Sequence, residues 1–68
     1  MNVFDASALL AYLHGETGSE VVREQLQTGG ACGAANWAEV AQKVRASGAD
    51  WALARSLLLG FDLVVEPV

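Results

Sequence analysis

The chain of 68 residues predicts an α/β fold: a three-stranded parallel sheet with helices on its faces, in the order β-α-α-β-α-α-β. Three observations carry that prediction. Short runs of β-forming or small residues occur at the start, near the middle and at the end of the chain. Between them lie segments whose apolar residues recur at helical spacing. Each such segment is long enough for a helical crossover, which parallel strands require and which is almost always right-handed.

Asn2 to Phe4 is predicted as the first strand. Asp5 or Ser7 then caps a helix running to about His14, with Leu9, Leu10 and Leu13 at helical spacing and Gly15 just past its end. His14, in the last turn, suits the negative end of the helix dipole and reads as an exposed end-of-helix residue. Thr17-Gly18-Ser19-Glu20 has the form of a capping box for a second helix to about Gln27, with Val22 and Leu26 on one face. Thr28-Gly29-Gly30 reads as a turn, and Ala31 to Ala34 as a second strand of weak β propensity. Asn36-Trp37-Ala38-Glu39 is predicted to start the third helix, where Trp37, Val40, Ala41 and Val44 form an apolar stripe. Ser47-Gly48 ends it. Asp50 caps the fourth helix and Gly60 closes it. Leu63-Val64-Val65 has the β-branched bias of a third strand, and Pro67 stops it.

A chain this short makes at most one small domain, which buries only about 60% of the surface its unfolded form exposes. Its apolar fraction is nonetheless 53%, with a mean hydropathy of +0.31. No apolar stretch approaches the roughly 20 residues a bilayer requires, and the N-terminus lacks the pattern of a signal peptide. The excess therefore points to a dense core, a partner surface, or uncovered faces of an incomplete sheet. Cys32 stands alone, so no internal disulfide forms; it reads as a small buried hydrophobe, or less readily as a reactive thiol. A reduced, cytoplasmic protein is expected. The net charge of −4 argues against nucleic-acid binding through a basic face, because phosphate neutralisation needs Lys and Arg. It leaves room for an enzyme that meets phosphates through a bound cation.

In open parallel sheets, ligands bind beyond the carboxyl ends of the strands. Asp5 ends the first strand, and Glu39 lies one turn into the helix after the second. Two converging carboxylates repel unless a cation lies between them, and oxygen ligands alone select a hard ion such as Mg²⁺ or Mn²⁺. The competing reading is local: Asp is among the best N-caps, and Glu39 stands three residues after Asn36 as the acidic half of a capping box. An acid can also do both, since capping and ligation use different oxygens.

The stretch Phe4-Asp5-Ala6-Ser7-Ala8-Leu9-Leu10-Ala11-Tyr12-Leu13 resembles the opening of PIN-domain proteins, in particular the VapC-type toxin ribonucleases. The resemblance continues in His14-Gly15-Glu16-Thr17-Gly18, similar to a Glu-x-Gly element after the family's first helix. It continues again in Ala35-Asn36-Trp37-Ala38-Glu39-Val40, similar to the segment carrying its second acid. The element order is also that of the family's N-terminal part.

The resemblance implies a divalent-metal-dependent endoribonuclease, the toxin of a toxin–antitoxin pair, in which a metal-activated water attacks an RNA phosphodiester. It implies Asp5 and Glu39 as catalytic metal ligands for Mg²⁺ or Mn²⁺, and Ser7 as a hydroxyl supporting the metal shell or a phosphate. Asn36 reads as a helix cap, and Glu16 as shaping the turn between helices. RNA, an antitoxin protein and a second copy of the chain are the implied partners. The pattern departs from the family at its far end. The family's sites use three or four acids, the later ones from a helix after the third strand, whereas this sequence ends at Glu66-Pro67-Val68. Residues 1–68 are therefore expected to be the N-terminal portion of a PIN-like domain, with weak or no activity alone. Glu66, at the end of the third strand, is the nearest internal substitute for a third acid, ahead of Asp50 and Asp62. The alternative is a non-catalytic PIN-derived interaction module that binds an antitoxin or another PIN chain.

Overall fold

Asn2–Phe4 forms β1, whose Asn2 side chain ties it to the end of the second helix by donating to Gln25 O and Thr28 Oγ1. The computed structural model describes residues 2–67. The elements that follow are α1 (Ala6–Leu13), α2 (Ser19–Thr28), β2 (Gly30–Gly33), α3 (Ala34–Ala46), α4 (Trp51–Leu59) and β3 (Leu63–Glu66). They give the predicted fold class: a parallel sheet in the order β1-β2-β3, in the sequence β-α-α-β-α-α-β.

The register fixes what meets what. Asn2, Val3 and Phe4 lie beside Gly30, Ala31 and Cys32, which in turn lie beside Leu63, Val64 and Val65. At Gly30 the strands approach so closely that a Cβ would fall on the Asn2 carbonyl oxygen and 2.6 Å from Phe4 Cε2. The weak β propensity of Gly-Ala-Cys-Gly is thus overridden by its central place in the sheet, where both neighbours pair with it.

Side chains alternate across a strand, so the sheet has two unlike faces. Phe4, Cys32 and Leu63 point to one face and join Ala6, Leu9, Leu26, Val40, Val44 and Leu58 in a single core. Each fully buried Leu or Phe there contributes about 1.5–3 kcal/mol. Two edge-on aromatic pairs border it, Trp37 with Trp51 at 5.2 Å and Tyr12 with Phe61 at 5.7 Å between ring centroids. On the opposite face, Val3 is 80% and Val64 54% exposed, with the small Ala31 sheltered between them. Coverage of the two faces is unequal, and the 18 Å short dimension of the molecule suits one layer of sheet and one of helices.

Several local expectations need correction. The Thr17–Glu20 capping box does not form; the N-cap of α2 is Gly18, at φ +92°, and no side chain caps the helix. A left-handed backbone at that position suits glycine and takes Thr17 out of register for capping. Thr28 belongs to α2, and Gly30 is already strand, so the turn shrinks to Gly29 at φ +90°. The second strand runs one residue earlier than predicted, and α3 starts at Ala34 with Gly33 as its N-cap. Asn36 is therefore no cap, and Glu39 lies more than a turn inside the helix, where no capping box operates. Asp5, not Ser7, caps α1, and Asp50 caps α4 by accepting from Ala52 N and Leu53 N.

Candidate functional site

The candidate site is built at the carboxyl edge of the sheet, where β1 ends at Phe4 and Asp5 opens α1. Asp5 is exposed, and its Oδ1 accepts from Ala8 N at 2.9 Å, the cap its sequence position predicts. That bond occupies one carboxylate oxygen in one direction and leaves the other available. Asp5 also acts on its neighbour across the sheet. Cys32, in register with Phe4, is fully buried, and its thiol pKa is raised first by that burial and then by the Asp5 charge.

The second contribution comes from α3. Asn36, half-buried in its first turn, accepts from Ala6 N through Oδ1 at 3.2 Å. A contact spanning 30 residues thus ties the first turn of α3 to the first turn of α1. Ala6 N–H is one of the donors that the start of α1 leaves without an intrahelical partner, and Asn36 satisfies it. Glu39 stands three residues beyond Asn36, on the same side of α3, and is exposed. With the capping-box explanation removed, Glu39 is an exposed residue of α3, four positions before Lys43, where a Glu–Lys pair suits the helix surface.

Ser7 lies in the first turn of α1 and is exposed. Glu66 ends β3 beside Gly33, on the same edge of the sheet, and is exposed. Asp62 lies at the other edge, where its carbonyl accepts from Gly30 N, and Asp50 is committed to its cap. His14 is the exposed C-cap of α1, with Nδ1 3.7 Å from Glu16 Oε1. Glu16 lies in the α1–α2 turn, where its backbone donates to Ala11 O and accepts from Ser19 N.

Among the described residues, no group of three or more His, Cys, Asp or Glu side chains is gathered as a metal would require. The edge thus offers at most a pair of carboxylates. None of the helices among these residues is long and apolar enough to cross a membrane. The residue missed by the sequence reading is Asn36 as a tie between helices, and no local signal could have found it, because its partner lies 30 residues away. Comparison of the chain with protein-family models, with curated proteins and with solved structures finds no match.

Proposed function

We propose that the chain carries the carboxylate pair of a PIN-like, divalent-metal-dependent endoribonuclease, the toxin of a toxin–antitoxin pair, acting on RNA in the cytoplasm. The observation that supports this best is the Asn36–Ala6 hydrogen bond, because it joins the helix bearing Glu39 to the turn bearing Asp5. Asp5 and Glu39 are the catalytic metal ligands in this reading, and Ser7 supports the metal shell or a substrate phosphate. A pair of carboxylates suits Mg²⁺ or Mn²⁺: Mg²⁺ in particular takes one or two of them, keeps several waters and uses substrate phosphates for the rest. When bound, such a cation polarises a phosphoryl oxygen and makes water nucleophilic at neutral pH.

The chain's own residues do the positioning. The Ala8 N–H holds the Asp5 carboxylate through Oδ1, which leaves its second oxygen free of the cap. Asn36 sets the separation between the turn and α3. With a cation held by Asp5 and Glu39, RNA would meet an acidic chain without a basic face, which is compatible with the net charge of −4.

Cleavage of RNA by the purified chain in Mn²⁺, beside Asp5→Asn and Glu39→Gln, tests this directly. Weak Mn²⁺-dependent cleavage, lost in both variants, is expected. Cleavage that is absent, or unchanged in both variants, overturns the reading of this chain as an active nuclease.

A second reading is a non-catalytic interaction module that binds an antitoxin or another PIN chain, with a second copy of this chain as one such partner. The exposed apolar residues favour it: Val3 and Val64 on the sheet, and Leu53 and Leu57 on α4, 70% and 50% exposed. Parallel sheets are usually covered on both faces.

A further inference from the structure

The hydrogen bond that ties Asn36 to Ala6 also determines which end of its amide faces outward. Ala6 N–H can only donate, so the acceptor must be Oδ1 and the amide is fixed in that orientation. Nδ2 therefore points away from Ala6, and it has no acceptor among the described residues. It is not a buried orphan either, since no buried side-chain nitrogen or oxygen there lacks a partner, so Nδ2 is open to solvent. The chain's other asparagine is the opposite case: Asn2 Nδ2 is spent on Gln25 O, Thr28 Oγ1 and Gly29 O.

The location gives the free donor its meaning. It sits one turn before Glu39 on α3 and one bond from the Asp5 turn, at the edge where ligands of parallel sheets bind. Asp5 and Glu39, both exposed, are acceptors only when ionised and repel an anion, so a phosphate oxygen there needs an N–H donor as well as a cation. A neutral amide supplies two N–H bonds without competing for the cation. Its orientation is held before any ligand arrives, which lowers the entropy lost on binding.

We propose that Asn36 is a phosphate-binding residue of this site, its Oδ1 anchored on Ala6 N and its Nδ2 donating to a non-bridging oxygen of a phosphodiester. The inference rests on the reading of Asp5 and Glu39 as a cation site and adds a substrate contact to it. NMR of the ¹⁵N-labelled chain in Mg²⁺, titrated with the dinucleotide UpU, tests it. The side-chain amide signals of Asn36 are expected to shift on addition of UpU, while those of Asn2 serve as the unmoved control. Asn36→Asp keeps an acceptor for Ala6 N and removes the donor. At high salt, which screens its added charge, it is expected to bind UpU about tenfold more weakly, the size of one lost hydrogen bond to a charged group.

Two failures are distinguishable. Mg²⁺ that moves the Asp5 and Glu39 amides, with Asn36 Nδ2 silent to UpU or Asn36→Asp binding as tightly as the natural chain, overturns the Asn36 assignment alone. Mg²⁺ that leaves the Asp5 and Glu39 amides unmoved overturns the cation site itself, and the assignment with it.

Discussion

At the scale of residues, Asp5 combines a cap with a free oxygen, and substitution separates the two. Asp5→Ala removes the acceptor for Ala8 N and is expected to cost about 1 kcal/mol of stability. Asp5→Asn keeps the cap, because Asn caps as well as Asp, and discards only the charge. Urea unfolding should therefore place Asp5→Asn within about 0.5 kcal/mol of the natural chain, a surface-like change. A loss near that of Asp5→Ala would show that the charge itself stabilises the turn. Cys32 offers a second view of the same charge. Its thiol is pushed up by burial and by Asp5, so the folded chain holds the proton more tightly than the unfolded chain. That contribution is complete below the unfolded thiol value of about 8.5 and is lost as pH rises through the higher folded value. The urea midpoint should fall as pH is raised above that range, and Cys32→Ala should flatten the fall; equal slopes in both would contradict it. Asp5 was legible as a cap from its place between a strand and a helix. Asn36 was not, because a side chain three residues before an acid reads as a cap until the start of the helix is known.

At the scale of elements, the sequence signals that held were those with only one local solution. Gly15 and Gly48 end helices at positive φ, Asp50 caps α4, and the Trp37-Val40-Ala41-Val44 stripe faces inward. The signals that failed had a competitor nearby. Thr17-Gly18-Ser19-Glu20 matches a capping box, but Gly18 takes the left-handed conformation and the N-cap position, leaving α2 without a side-chain cap. Thr17→Ala should consequently leave stability within about 0.5 kcal/mol, whereas Asp50→Ala should lose about 1 kcal/mol. A larger loss at Thr17 in urea unfolding would restore the capping box. The glycine-rich second strand was misread by one residue, since tertiary contact rather than propensity decides it. Gly30 has no room for a Cβ between Asn2 and Phe4. Gly30→Ala should destabilise by about 1–3 kcal/mol, as overpacking does, and an unchanged urea midpoint would show that β1 can yield there.

At the scale of the whole molecule, the fold ties the first turns of α1 and α3 together at one edge of the sheet and leaves apolar residues on one sheet face. The parallel topology was legible from the alternation of strands and helix pairs, and with it the edge at which Asp5 and Glu39 could be sought. The unequal covering of the sheet was not legible, because a strand buried on both faces and one buried on a single face look alike over three or four residues. Val3 and Val64, in line across that face, should favour association, since contiguous exposed apolar surface marks an interaction site. Val3→Thr combined with Val64→Thr should retain the circular dichroism of the natural chain and abolish concentration dependence of its sedimentation; identical sedimentation in both would remove the face from the account. Cation binding by the proposed pair of Asp5 and Glu39 is tested most directly by paramagnetic broadening by Mn²⁺ in the ¹⁵N spectrum. Substoichiometric Mn²⁺ is expected to broaden the amides around Asp5 and around Asn36 to Glu39 and to spare β3's start at Leu63, with the effect lost in Asp5→Asn. Broadening absent from those amides, or undiminished in Asp5→Asn, would contradict it.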